Sequence, residues 1–425
     1  MEDILKGFIF ETAPTDQPAI IKVIGVGGGG GNAVKHMYTE GIKDVTFALC
    51  NTDKQVLISS SVPVKLQLGE KLTGGLGAGA EPQIGKEAAE ESIPEIRRML
   101  SDGTKMALIT AAMGGGTGTG AAPIVAQVAK EMDLLTIGIV TIPFMFEGAV
   151  KIGSALKGAE EMRKNVDALL VINNERLPGI YADLDVKTMF KRADEVLATA
   201  AKSIADIITI EGEINVDFAD VRTTLKEGGI AVMNNGYGSG EGRVYKALTD
   251  ALKSPLLNND NAFQAKKILF YIYSGSQKPL LAPEINDIPV FMSRFEDKNI
   301  NVIWGLASDD TLGDEVKITV LASGFGMESV SESQPLEPNQ LKLLDKETWE
   351  EKERLKREKE QQDEENGRLK RIYYGPEAHT PKTKVFIFSS LGQLDDDVVI
   401  ETLLNTPTLD RNPDVMKQVI YNKPE

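Results

Sequence analysis

The sequence predicts an α/β fold: a mainly parallel sheet wound on both faces, a long central helix, a second and smaller α/β region, and a flexible tail. Three observations carry this class. Short β-rich apolar runs alternate with segments of helical periodicity between residues 19 and 185, the pattern of βαβ units. Glycine-rich segments stand at 27–31, 74–80 and 114–120, the first and last between an apolar strand and a helix. Residues 186–210 then keep apolar side chains, among them Ala193, Leu197, Ile204 and Ile208, at helical spacing for about six turns. Small or apolar residues nearly all round that helix place it between two bodies.

In chain order, residues 1–18 read as a loose lead-in. A strand over 20–26 runs into the first glycine segment, and a helix follows over 33–38. A strand over 45–49 ends in Cys50-Asn51-Thr52-Asp53, whose polar side chains would face a crevice at the carboxyl edge of the sheet. One helix is expected over 84–100, a strand over 106–112, and a helix over 121–132. Strands over 134–142 and 168–172 are separated by a helix around 154–166. Past Gly212 come strands near 230–233, 268–273, 302–306 and 316–321, with helices near 242–253 and 283–295. The expected organisation is a nucleotide domain over 19–185, a connecting helix over 186–212 and a smaller domain over 213–327. A charged linker over 328–375 and a tail over 376–425 follow, the tail carrying an apolar island at 385–404 that suits either a binding partner or packing on the chain's own core.

Composition narrows the function. A length of 425 residues with 42% hydrophobic residues supplies more than one core. A formal net charge of −16 argues against a nucleic-acid partner. One cysteine, Cys50, and two histidines, His36 and His379, leave no zinc cluster and suit a reducing, cytoplasmic compartment. The first eighteen residues lack a secretory pattern. The longest apolar stretch, 134–146, is broken by Pro143 and too short to span a bilayer, so no membrane insertion is expected.

The segment Gly114-Gly115-Gly116-Thr117-Gly118-Thr119-Gly120 is the chemical centre. Glycines let backbone approach an anion closely, a helix start offers unpaired N–H groups, and the hydroxyls of Thr117 and Thr119 are further donors. This describes a polyphosphate cradle. Gly25, Gly27 and Gly30 also satisfy the dinucleotide fingerprint, so an oxidoreductase is a rival reading. Against it stand the redundancy of a second cradle, the offset position of the expected acid (Asn51 or Asp53), and the scarcity of proton-transfer groups. No P-loop lysine motif occurs. Asn215-Val216-Asp217-Phe218-Ala219-Asp220 follows the long helix, and Asp217 and Asp220 would share a helical face. Such a pair can polarise a water, or merely partner the helix dipole. Lying past the far end of a long helix, it is too distant to act on a nucleotide held by its own chain.

IKVIGVGGGGGNAV, GLGAGA, MGGGTGTGAAP, FEG and NVDFADVR, in this order over about residues 19–326, resemble the FtsZ family of bacterial tubulin homologues. The resemblance implies a Rossmann-like GTP-binding domain and a GTPase that polymerises head to tail into filaments at the mid-cell division ring. It implies GTP or GDP with Mg2+, held by Gly27, Gly28, Gly29, Gly30, Gly31 and Asn32, by Gly77, Ala78, Gly79 and Ala80, and by the segment Gly114 to Gly120. Pro143, Glu147, Lys151 and Asn174 would border the nucleotide, and Asp194 would meet guanine. Asn215, Asp217 and Asp220 would enter the next subunit's site and complete hydrolysis there. A membrane tether similar to FtsA would bind the tail.

The chain departs from the family pattern in several places. Lys151 stands where arginine is usual, keeping the charge without the bidentate fork. Ala149-Val150 replaces charged residues, Ala112 replaces a glycine before the cradle, and Glu81 replaces an asparagine. The usual terminal partner motif is not recognisable, so the island at 385–404 is the candidate substitute. These departures keep open a GTP-binding filament with little hydrolysis.

Overall fold

The computed structural model describes residues 8–10, 19–42, 44–177, 185–252, 265–292 and 300–325. The linker at 328–375, the tail at 376–425 with its island, residue 253 and residues 293–295 lie outside the described residues. Strands β1 (Phe8–Phe10), β2 (Ile21–Val26), β3 (Val45–Asn51), β4 (Val64–Gln67), β5 (Met106–Ala112), β6 (Leu135–Ile142) and β7 (Ala168–Asn173) come first. They are followed by β8 (Gly229–Gly238), β9 (Lys267–Ser274), β10 (Asn301–Ser308) and β11 (Val316–Ser323). The eleven form one sheet, ordered β1-β4-β3-β2-β5-β6-β7-β8-β11-β9-β10. From β4 to β8 every pairing is parallel. Only β11 runs antiparallel to both its neighbours, β8 and β9, while β9 and β10 are parallel.

The helices are α1 (Gly27–Thr39), α2 (Lys54–Ile58), α3 (Glu70–Thr73), α4 (Pro82–Glu91), α5 (Ile93–Leu100), α6 (Thr117–Glu131) and α7 (Ala149–Asn165). Then come α8 (Val186–Thr209), α9 (Phe218–Leu225), α10 (Arg243–Leu252) and α11 (Asp287–Met292). On one face of the sheet, Ile96, Val125, Leu156 and Met162 from α5, α6 and α7 cover Ile24, Ile109 and Val140. On the other, α1 and α8 cover Ile21, Val23, Leu108 and Ile137. That second core continues without a break through Leu197, Ala201, Ile204 and Ile207 of α8 to Leu269, Tyr271 and Leu321. The long helix therefore serves both parts of the sheet at once.

Five local expectations change. The glycines at 27–31 are not a loop before a helix: they are the opening of α1. Glycine's poor helix propensity is overridden because α1 lies too close to the sheet for side chains. A Cβ on Gly30 would fall 2.1 Å from the Thr110 carbonyl oxygen. Likewise α6 begins at Thr117, inside the cradle. The single helix expected over 84–100 is split at Ser92, because Pro94 lacks the N–H that a continuing helix needs. Phe8–Phe10, within the expected loose lead-in, pairs antiparallel with β4, adding an edge strand. β8 runs to Gly238, further than its apolar start predicts, since Asn234, Asn235 and Gly236 pair with β11 despite poor β propensity.

Candidate functional site

The three glycine segments meet at the carboxyl edge of the parallel strands. Gly27, at φ +74°, closes against the third segment: a Cβ there would lie 2.7 Å from the backbone nitrogen of Gly118. Gly116 of that third segment abuts the second, where a Cβ would lie 2.9 Å from both the Ala78 methyl and the Glu81 nitrogen. A Cβ on Gly114 would fall 2.9 Å from Lys151 Cγ and 3.1 Å from Pro143 Cγ. Residues spread over 120 positions of sequence are thus neighbours.

The glycines divide by what they face. Gly30, Gly118 and Gly120 are demanded by the protein itself; on Gly120 a Cβ would sit 1.9 Å from the Pro82 carbonyl oxygen. Gly29 faces the Ala112 methyl, 2.5 Å from its own would-be Cβ, so the methyl of Ala112 packs on α1. Gly28, Gly79 and Gly115 face open space, with nothing within 4 Å. At φ +57° the backbone alone favours glycine at Gly79, whereas Gly28 and Gly115 simply leave open backbone within reach of a guest.

The two cradle threonines differ. Thr117 shares a 2.7 Å hydroxyl hydrogen bond with Thr52. Thr119 is buried, and its hydroxyl accepts the Gly114 N–H at 2.8 Å, shaping the loop from within. After β6, the carboxylate of Glu147 accepts the Phe144 N–H at 2.9 Å and takes the Lys151 ammonium at 2.5 Å. Glu175 accepts the Met145 N–H at 2.7 Å. Lys151 therefore reaches the cradle with its charge already partnered.

Asn32 of α1 donates to the Asp194 carboxylate at 3.3 Å, joining α1 to α8 across 162 residues. Burial pushes the Asp194 carboxyl up to about 6, against the pull of the Asn32 hydrogen bond and nearby His36. Asn174, just after β7, is buried, and its Oδ1 has no hydrogen-bond partner among the described residues. A buried acceptor without a protein donor at this edge fits a ligand that donates a hydrogen bond. Phe190, one turn before Asp194, is a further candidate that the sequence reading does not single out. It packs edge-on to Phe144 at 5.3 Å and Phe146 at 6.3 Å, and both Phe146 and Phe190 keep exposed surface that a purine can stack on. Its i, i+4 spacing to Asp194 was the available signal.

Asp53 caps α2, its carboxylate accepting the Gln55 and Val56 N–H groups at 2.8 and 3.3 Å. It is thereby occupied as a cap, which removes an argument for a dinucleotide. Among the described residues, no three His, Cys, Asp or Glu side chains gather around a metal position, and no helix is long and apolar enough to cross a membrane.

The acidic segment lies elsewhere. Asp217 and Asp220 form a reciprocal capping box on α9: Asp217 accepts the Asp220 N–H at 2.9 Å, and Asp220 accepts the Asp217 N–H at 3.1 Å. Both are exposed. Asn215 Oδ1 accepts the Gly212 N–H at 2.7 Å. Arg222 of α9 donates to Asp133, just before β6, whereas the cradle neighbour Pro143 directly follows β6. Eight residues of strand, about 26 Å, separate those two points.

The chain is 48% identical over 424 residues to the cell division protein FtsZ of Porphyromonas gingivalis (strain ATCC BAA-308 / W83), covering 99% of this chain and 91% of that protein. The chain belongs to the FtsZ family. Residues 20–182 match the Tubulin/FtsZ family GTPase domain, and residues 229–326 match the FtsZ family C-terminal domain. The chain is thus a guanine-nucleotide-binding GTPase. The cell division protein FtsZ of Coxiella burnetii (strain RSA 493 / Nine Mile phase I) is 45% identical over 317 residues, 74% of this chain and 81% of that one. Among solved structures, an empty FtsZ dimer from M. jannaschii has a TM-score of 0.67 at 38% identity, covering 77% of this chain and 96% of that one. CetZ2 from Haloferax volcanii, a GTPγS-bound protofilament, shares the fold at a TM-score of 0.62 and 21% identity, over 72% of this chain and 93% of that one.

Proposed function

We propose that this FtsZ-family GTPase assembles head to tail into filaments for cell division, and that each hydrolytic site is completed by the acidic loop of the next subunit. The observation that carries this is the placing of the two half-sites. The cradle lies at the carboxyl edge of the strands, and the α9 anchor Arg222 pairs with Asp133 at the amino edge. From Asp194 to the end of α8 at Thr209 is a further ruler of about 22 Å. Asp217 and Asp220 cannot act on GTP held by their own chain. Stacking one subunit's acidic edge on another's cradle is a heterologous contact, which propagates as an open filament.

In this reading, Gly28, Gly79 and Gly115 let backbone approach the phosphates. Thr117 stands at the opening of α6, where backbone N–H groups favour anions. Asp194 accepts guanine N1–H and N2–H, a pair that adenine does not offer, and Asn174 Oδ1 is satisfied by a ligand donor. Mg2+ would supply charge neutralisation on the phosphates; among the described residues no cluster of three acidic side chains is gathered to hold it. From the neighbouring subunit, Asp217 and Asp220 orient and polarise the attacking water, while Asn215 shapes their loop through Gly212.

Phosphate release from GTP, with ATP as control, is measured across a protein dilution series with pelleting of the same samples. Release per subunit is expected to rise above a threshold that coincides with pelleting, with GTP alone. Release per subunit that is flat with dilution means that the site is complete in one chain, and the shared-site reading is wrong. A second reading, a filament that hydrolyses poorly, draws on the Lys151–Glu147 ion pair, which leaves the cradle less net positive charge. Pelleting without release favours it. Partner binding, including an FtsA-like tether, is assigned to residues 376–425, and pull-downs unchanged by their deletion refute that assignment.

A further inference from the structure

We infer that Asp167 and Lys226 are positioning residues for hydrolysis: their ion pair holds the acidic-loop helix α9 at a set angle to the GTPase sheet. This rests on the reading of Asp217 and Asp220 above. Asp167 directly precedes β7, and its side chain is 0% exposed. Oδ2 accepts the Thr136 N–H at 3.0 Å, and its backbone carbonyl accepts the Gly229 N–H at 3.0 Å, so the residue is locked to β6, β7 and β8. Its other oxygen, Oδ1, makes no hydrogen bond; the Lys226 ammonium approaches it at 3.3 Å, off the hydrogen-bonding direction. A buried carboxylate needs a compensating charge, and among the described residues Lys226 is the cation paired with it.

Lys226 is the C-cap of the eight-residue α9, whose N-cap is Asp217. A short helix therefore carries at one end the half-buried lysine that meets the buried Asp167 carboxylate, and at the other the acidic loop. Two further contacts brace it. Asp133 sits in the left-handed region at φ +57°, and from there its carboxylate lies 3.1 Å from Arg222 and 3.7 Å from Lys226. Asp133 is 78% exposed, so those pairs contribute little by themselves. The buried Asp167 carboxylate is the fixed point. Releasing it lets α9 tilt, and a displacement of about 1 Å at a reacting group costs up to about a hundredfold in rate.

The test uses the full chain, with GTP turnover above the assembly threshold as the readout. Lys226→Gln and Asp167→Asn are each expected to lower kcat about tenfold or more, with KM for GTP and GTP affinity of the dilute protein unchanged. The double variant is expected to be no worse than either single one, and Lys226→Arg is expected to restore turnover. A purely structural role would lower the melting temperature without that kcat-only loss or its non-additivity. Asp217→Ala is run alongside. If it loses turnover while Lys226→Gln and Asp167→Asn do not, or if their losses add, the tether is overturned and the acidic-loop reading survives. If Asp217→Ala turns over normally, the acidic-loop reading itself fails, and the tether with it.

Discussion

Asp194→Asn isolates the charge that the proposed reading sets against guanine. A carboxylate accepts from guanine N1–H and N2–H together; the neutral amide accepts only one of them and turns an NH2 toward the other. Each hydrogen bond to a charged group nets about 1.5–3 kcal/mol, so losing one weakens GTP binding by about ten- to a hundredfold. The pH dependence follows from the same carboxyl, which burial holds at about 6 in the free protein. Guanine binds the ionised form, so affinity is full above that value and is lost as pH falls through it. Affinity at pH 5 is then about tenfold weaker than at pH 7. Binding of a fluorescent GTP analogue between pH 5 and 8 measures both effects. The variant is expected to bind weakly with a flat profile. It should recover affinity for xanthosine triphosphate, whose carbonyl at the N2 position matches the asparagine NH2. A flat profile in the unmodified protein, or GTP binding by Asp194→Asn as tight as in the parent, refutes the contact between Asp194 and guanine.

Gly115→Ala and Gly28→Ala add a methyl that meets nothing in the protein, so melting temperature should hold while GTP affinity falls. Gly120→Ala, whose Cβ would strike the Pro82 carbonyl, should instead destabilise the fold by about 1–3 kcal/mol in chemical denaturation. Asp217→Ala is expected to keep GTP binding and lower turnover by about two to four powers of ten. Loss of its N-cap should cost about 1 kcal/mol of stability, read by thermal melting. Arg243 is 2% exposed, pairs with Glu284, and donates to the carbonyls of Lys278, Pro279 and Asp314. Arg243→Met should destabilise the chain by about 3 kcal/mol. The Arg243 guanidinium holds the Glu284 carboxyl below its usual value. Its stabilisation is present above the unfolded-state value and is lost as pH falls through the lowered folded one, so the variant should show a shallower acid slope.

Much of the fold was legible in the sequence because it is written in local patterns. Apolar runs such as 106–112 and 135–142 mark buried parallel strands, and the glycines at 114–120 mark a strand-to-helix cradle. The 24 residues of α8 carry their own periodicity, and Asp217 and Asp220 lie at capping spacing. What stayed hidden depends on contacts between residues far apart in sequence. No local signal says that Gly27–Gly31 is helical, since only the approach of Thr110 requires it. Nor does spacing separate Gly120, which packs on α4, from Gly115, which faces open space, or show that Thr119 turns inward. Asn32 meets Asp194, and Arg222 meets Asp133, only because the sheet brings them together. The residues of the two proposed half-sites are named from local glycine and carboxylate chemistry and, for Asp194, from the family resemblance. That the two halves occupy opposite edges of one sheet was decided by tertiary structure, since the direction of β6 and the length of α8 set the distance between them.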